Sequence, residues 1–202
     1  MSIEHSILAY LSFLPSSGYD IKYEFEHEVT SLYWGISYGS IYPKLKKLEE
    51  EGLIQTVDGE QNGRNKRLYE LTEKGWLEYE EWLCSSPSYP EIKDELLIKM
   101  SSWHQDMNTA HLIRHLQKRR KESQERLDFV TNWTSNGVSY VSSIGALVIP
   151  YIQMQLEAEL KWITQTIENL QASTLPIGQD PYGIEPKRIA RRRAALGLDQ
   201  EE

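Results

Sequence analysis

Apolar positions recur at helical spacing, give way once to a short alternating stretch, and then return to helical spacing for the rest of the chain. Ile7, Leu8, Leu11 and Leu14 predict a first helix over Ile3 to Leu14, broken by Pro15-Ser16-Ser17-Gly18. Tyr19 to about Thr30 forms a second, with Ile21 and Phe25 turned to the core. Ile41, Leu45 and Leu48 make one apolar stripe on a third, which Gly52 would close in the left-handed conformation. Leu53 to Val57 and Arg67 to Thr72 then read as paired strands. The nine residues between them hold Asp58-Gly59 and Asn62-Gly63, both strong turn formers. Thr72 can cap a fourth helix carrying Trp76, Tyr79 and Leu83. The Ser/Pro cluster from Ser85 to Pro90 is the clearest boundary in the chain.

Beyond that boundary the pattern is helical. Asp94 to Trp103 is expected as one helix, with Leu97, Met100 and either Leu96 or Trp103 inward. Met107 to about Trp133 is a longer one, with Leu112, Leu116, Leu127 and Val130 on one side. The most apolar segment carries Ile144, Val148, Ile152, Leu156, Leu160, Ile163, Ile167 and Leu170 in steps of four and three. Pro150 should kink that helix or delay its start. The fold class is therefore mostly α with a small β-hairpin. A winged helix-turn-helix is expected over residues 1–86 and a helical domain over 91–172. A flexible tail, 173–202, should carry the basic cluster Lys187, Arg188, Arg191, Arg192 and Arg193.

The third helix has two unlike faces. Opposite its apolar stripe stand Gly39, Ser40, Pro43, Lys46 and Lys47, with Tyr42 and Lys44 on the flanks. Small, hydroxylated and cationic groups on the exposed side of a short helix suit a DNA major groove. The hairpin that follows carries Arg64, Asn65, Lys66 and Arg67, which fit contact with phosphates. Candidate DNA contacts are thus Ser37, Tyr38, Gly39, Ser40, Tyr42, Lys44, Lys46, Lys47, Arg64, Asn65, Lys66 and Arg67. Tyr38 lies close to the apolar stripe and can equally pack inside. Lys46 and Lys47 can equally form a plain solvated face.

Ser40-Ile41-Tyr42-Pro43, Leu45, Leu48-Glu49, Gly52-Leu53-Ile54 and Tyr69-Glu70-Leu71-Thr72-Glu73-Lys74-Gly75 closely resemble the PadR family of bacterial transcription regulators. Ile3 to Leu14 and Gly18-Tyr19-Asp20-Ile21 resemble the family's first two helices. The likeness is specific over the first 84 residues and continues more loosely to about Leu170. There it resembles the longer subfamily with a virulence-activator-like C-terminal domain, best at Glu157 to Ile163. The resemblance implies a homodimer on an inverted-repeat operator, usually a repressor released by a small ligand.

Charge sharpens this picture. A formal charge of −8 over 202 residues argues against indiscriminate nucleic-acid binding, whereas the bases gathered on the third helix and hairpin suggest a local cationic face. The single cysteine, Cys84, excludes an intramolecular disulfide and a cysteine-based zinc cluster. His111 and His115 are one turn apart, near His104 and Asp106, but lack the carboxylate of a zinc-protease helix, so no metal or cofactor is expected. No phosphate loop or nucleophile elbow supports an enzyme. The apolar run from Ile7 to Leu14 is too short for a leader or a membrane span, so a cytoplasmic protein is expected.

The apolar stripe of the last long helix (Ile152, Leu156, Leu160, Ile163, Ile167 and Leu170) has little winged-helix surface to cover it, which makes a second subunit its expected partner. Trp103, Trp133, Tyr140, Tyr151 and Trp162 are core aromatics that could also stack a flat effector. The basic tail reads as a disordered end with a short helix, as an arm for DNA phosphates, or as a segment that docks on another protein. The rival to a DNA-binding regulator is a winged-helix protein acting through a protein partner; joint retention of Ser40, Lys46 and a basic hairpin favours DNA.

Overall fold

The computed structural model describes residues 3–27, 41–61, 64–90, 93–136 and 141–197, with the side chains of 26–27, 60–61, 64–65 and 133–136 outside the description. The chain divides into two compact units, Met1–Glu91 and Ile92–Glu202.

In the first unit α1 spans Ile3–Leu11, shorter than its apolar pattern predicted. The Phe13 amide turns back to the Tyr10 carbonyl at 3.1 Å, tightening the exit before Pro15. Helix α2 spans Gly18–His27. Ser17 and Asp20 cap it reciprocally: the Ser17 hydroxyl and amide donate to Asp20 Oδ2 at 2.6 and 3.3 Å, and the Asp20 amide donates to Ser17 Oγ at 3.2 Å. This is a capping box with the shorter carboxylate in the Glu position. Helix α3 spans Ile41–Glu50. Pro43 falls in its first turn, where an amide has no intrahelical acceptor to lose. Gly52 ends the helix at φ +70°, as its residue type predicts.

Strands β1 (Ile54–Gln61) and β2 (Arg64–Leu71) pair antiparallel, with Ile54 opposite Leu71 and Gln61 opposite Arg64. The ladder is longer than the alternating pattern implied. Asp58 and Gly59 lie within it, opposite Arg67 and Lys66, so only Asn62 and Gly63, outside the described residues, remain to connect the strands. Ser16 adds a bridge to Tyr69, exchanging amide and carbonyl at 3.0 and 2.8 Å, which ties the α1–α2 link to the wing. Helix α4 (Glu73–Cys84) begins at Thr72, whose hydroxyl accepts the Gly75 amide. Ile7, Leu8, Leu11, Ile21, Phe25, Ile41, Leu45, Leu48, Leu53, Ile54 and Leu71 form one core.

The second unit holds α5 (Glu95–Ser101), α6 (Thr109–Asn136), α7 (Val148–Ala172) and α8 (Ile184–Ala195). A 3-10 turn over Gly145–Leu147 precedes α7, so Pro150 sits in the first turn: the helix starts late. Leu96, with Met100 and Trp103 beside it, packs against Leu112, Leu116, Ile163 and Ile167, while Leu97 is exposed, reversing its expected orientation.

A polar network ties three of these helices. Asp94 caps α5 through the Leu96 amide at 2.8 Å and takes a two-pronged contact from Arg119 of α6, both at 2.9 Å. Arg119 also reaches Glu159 of α7 at 3.0 Å, and buried Ser123 donates to Glu159 at 2.6 Å. Burial works against ionising Asp94, but the hydrogen bonds from Arg119 and the Leu96 amide outweigh it and hold the carboxyl below its ordinary range.

The basic cluster is not a loose tail. It lies on α8, where Ile189 is buried, Arg188 donates to the Ser102 carbonyl, and Arg192 and Arg193 each approach Asp106 at 3.5 Å. Asp180 starts this helix, its carboxylate accepting the Ile184 and Glu185 amides at 2.7 and 2.9 Å. No helix among the described residues is long and apolar enough to cross a membrane.

Candidate nucleic-acid interface

Helix α3 buries Ile41, Leu45 and Leu48, which turns Pro43, Lys46 and Lys47 outward. Lys46 is the most open of the described basic side chains there, at 78 % exposure, with Glu50 at 3.7 Å one turn on. Tyr42 is 56 % exposed, its ring lying against Gly18, where a Cβ would come within 2.8 Å of Cε1. Tyr42 thus takes its position from the start of α2, leaving the rest of the ring accessible. Ser37, Tyr38, Gly39 and Ser40 lie outside the described residues, as do the side chains of Arg64 and Asn65.

The remaining bases are engaged. Glu4 of α1 accepts from Lys44 at 2.7 Å and from Lys47 at 3.3 Å. Lys47 also has Glu51 at 3.6 Å, and the Glu4 hydrogen bond followed by the Glu51 charge raises its pKa above the ordinary lysine value. Arg67 of β2 spans to α3, its Nη2 donating to both oxygens of Glu49 at 2.8 and 3.1 Å, and its guanidinium lies 5.7 Å from the Tyr69 ring centre. Lys66 has Asp20 at 3.8 Å. The described part of this face is therefore charge-balanced rather than cationic. Glu4, Asp20 and Glu49 were missed from sequence because they lie some 18 to 46 positions from their partners, with no periodicity linking them.

The expected partner-facing stripe of α7 is largely inside the chain. Ile163 is fully buried, Ile152, Leu156 and Ile167 nearly so, and Leu160 and Leu170 are half-buried. Leu96, Leu112 and Leu116 of the same unit cover Ile163 and Ile167, because α5 and α6 fold over this side of α7. The stripe was legible; its partner was not. Away from the stripe α7 exposes Tyr151, Met154 and Trp162, while Val148, in line with Ile152, is exposed at the start of the helix.

Of the candidate effector aromatics, Trp103 packs on the second unit's core, whereas Tyr151 and Trp162 stand in solvent contact on α7. The Tyr151 hydroxyl accepts from Gln155 at 2.7 Å. Tyr140 and the Trp133 side chain lie outside the described residues. His111 Nδ1 faces Arg114 Nη2 at 2.7 Å, and no cluster of three or more His, Cys, Asp or Glu among the described residues could hold a metal.

Two helices, a third with an open outer face, and a two-stranded wing followed by a helical second unit define a winged-helix regulator architecture. Residues 7–81 match the transcriptional regulator PadR-like family, and residues 92–171 match the virulence activator alpha C-terminal domain. The chain thus carries a PadR-like domain followed by a virulence-activator-like C-terminal domain. It is 37 % identical over 101 residues to the negative transcriptional regulator PadR of Bacillus subtilis, covering 48 % of this chain and 54 % of that protein. The chain spans about half the length of the curated relatives it matches. Among solved structures, smu.1604c of Streptococcus mutans is similar at TM-score 0.72 and 25 % identity, covering 83 % of this chain and 99 % of that one. Bacillus subtilis PadR in complex with operator DNA is similar in fold at TM-score 0.68 and 24 % identity, over 83 % of this chain and 98 % of that one. The same relative has been solved with p-coumaric acid, with a TM-score of 0.63, 22 % identity, and 84 % and 98 % of the two chains covered.

Proposed function

We propose that this protein is a cytoplasmic, homodimeric, sequence-specific DNA-binding regulator that represses transcription from an inverted-repeat operator. The observation that carries this reading is the outer face of α3. Lys46 and Tyr42 stand open on a helix whose opposite side is anchored by three buried aliphatic residues. Two such helices enter successive major grooves about one helical turn apart. Ser40, Tyr42 and Lys46 touch base edges or the adjacent backbone, with Ser37, Tyr38 and Gly39 beside them. Lys44, Lys47, Arg64, Asn65, Lys66 and Arg67 engage the phosphates. The exposed side of α7 joins the two protomers. A small aromatic acid is the proposed effector class, in keeping with the p-coumaric acid complex of the Bacillus subtilis relative. Such a ligand releases DNA only if it binds one arrangement of the dimer better than the other.

The test is selection of duplexes from a random pool, followed by gel shift with Lys46→Glu. The wild type should enrich a palindrome, and the exchange should weaken binding about tenfold or more with the fold unchanged. Equal affinity would remove Lys46 from the interface; no enrichment would favour a protein-partner role.

A further inference from the structure

We propose that Glu4 and Glu49 are affinity-limiting residues of the DNA-binding face: each occupies a cation that a phosphate would otherwise claim. The proposal rests on the reading of α3 and the wing as that face. Lys44, Lys46, Lys47, Lys66 and Arg67 each lie within 4 Å of a carboxylate. The pairs differ in kind. Lys46 with Glu50 and Lys47 with Glu51 are loose, one-turn contacts at 3.7 and 3.6 Å on the helix surface, of a sort that contributes little. Glu4 and Glu49 act across elements. Glu4 is only 18 % exposed and hydrogen-bonds two lysines of α3 from α1, whereas Glu49 holds Arg67 of the wing through both oxygens.

A cation already neutralised in this way brings little to a phosphate. When Arg67 leaves Glu49, one anionic acceptor replaces another, and the vacated carboxylate then repels the backbone. Phosphate contact supplies essentially all of non-specific DNA affinity, so these pairs suppress that contribution and leave base contacts from α3 to provide the surplus. The opposite role is physically reasonable for Glu49: it could hold Arg67 in the orientation that meets a phosphate. The two roles differ in sign.

Glu4→Gln and Glu49→Gln, singly and together, are compared with wild type by fluorescence anisotropy. The probes are the duplex that the protein itself enriches from a random pool and a scrambled duplex of equal length, at about 50 and 200 mM salt. Each exchange should tighten binding to both duplexes by roughly two- to fivefold. Freeing Arg67 should steepen the log–log salt dependence by about one unit. Unchanged affinity and slope would overturn the proposal; weaker binding by a folded Glu49→Gln protein would also overturn it and make Glu49 a positioning residue. Should Glu4→Gln unfold by circular dichroism, Glu49→Gln and Glu49→Ala decide alone, since Glu49 lies at the surface end of α3. If the wild type enriches no duplex, the DNA-binding reading falls and this inference with it; enrichment with unaltered variants removes this inference only.

Discussion

A Cβ at Gly75 would stand 1.9 Å from the carbonyl oxygen of Leu53, which is backbone and cannot rotate away. Around it the start of α4 is fastened to the end of α3. The Thr72 hydroxyl donates to the Gly52 carbonyl at 2.7 Å, the Thr72 amide to the Leu53 carbonyl at 3.1 Å, and the Lys74 ammonium to the Glu51 carbonyl at 2.7 Å. The close approach of α4 to the end of α3 thus depends on one missing methyl group. Gly75→Ala should destabilise the first unit by about 1–3 kcal/mol, read as a lower urea midpoint; an unchanged midpoint would show that the α3–α4 junction yields freely. Single residues with strong backbone preferences were legible from sequence at this scale. Gly52 takes its left-handed angle and Thr72 its cap, because each depends only on neighbours a few positions away. Gly75 was legible only as part of a family resemblance, since what excludes a side chain there is the carbonyl of a residue 22 positions earlier.

Among elements, helix periodicity was informative and helix partners were not. The core of α3, the hairpin and the long α6 and α7 follow from local pattern. The packing of α8 does not, because Ile189 is its one buried apolar anchor and the groups that receive Arg188 and Arg192, Ser102 and Asp106, each lie 86 residues away. The network that fixes α5, α6 and α7 is of the same kind, joining Arg119 to Asp94 and Glu159 across 25 and 40 positions. Its pH dependence has a definite sign. The Asp94 carboxyl is held below its unfolded value by Arg119 and the Leu96 amide despite burial. Its stabilising contribution is therefore complete above the ordinary carboxylate pKa of about 4, and is lost as pH falls through the lower folded value. Asp94→Asn keeps a capping oxygen for Leu96 and forfeits the charge. Urea melts should show the wild type more stable by about 1–2 kcal/mol at neutral pH, with the difference closing below about pH 4. A pH-independent difference would mean that packing, not charge, distinguishes the two.

At the scale of the whole molecule, the acidic balance of −8 and the charge-matched face of α3 and the wing describe a protein that, on the proposed reading, should bind few duplexes and ignore most. Most of the stripe expected to face a second protomer is buried within this chain, since an apolar stripe does not say whether its cover comes from the same chain. With Ile163 and Ile167 inside, Tyr151, Met154 and Trp162 are large exposed apolar positions of α7, and the homodimer proposed above would use them. Tyr151→Glu combined with Met154→Glu should therefore give folded monomers in light scattering, whereas a polar residue at Ile163 should unfold the second unit. An intact dimer in the first case would place the contact elsewhere. The central claim is that two copies of α3 read DNA together, and hydroxyl-radical footprinting of a self-selected duplex tests it most directly. Two protected segments should appear on one face of the duplex, about one helical turn apart, and both should fade with Lys46→Glu. A single protected segment, or a pair indifferent to that exchange, would contradict it.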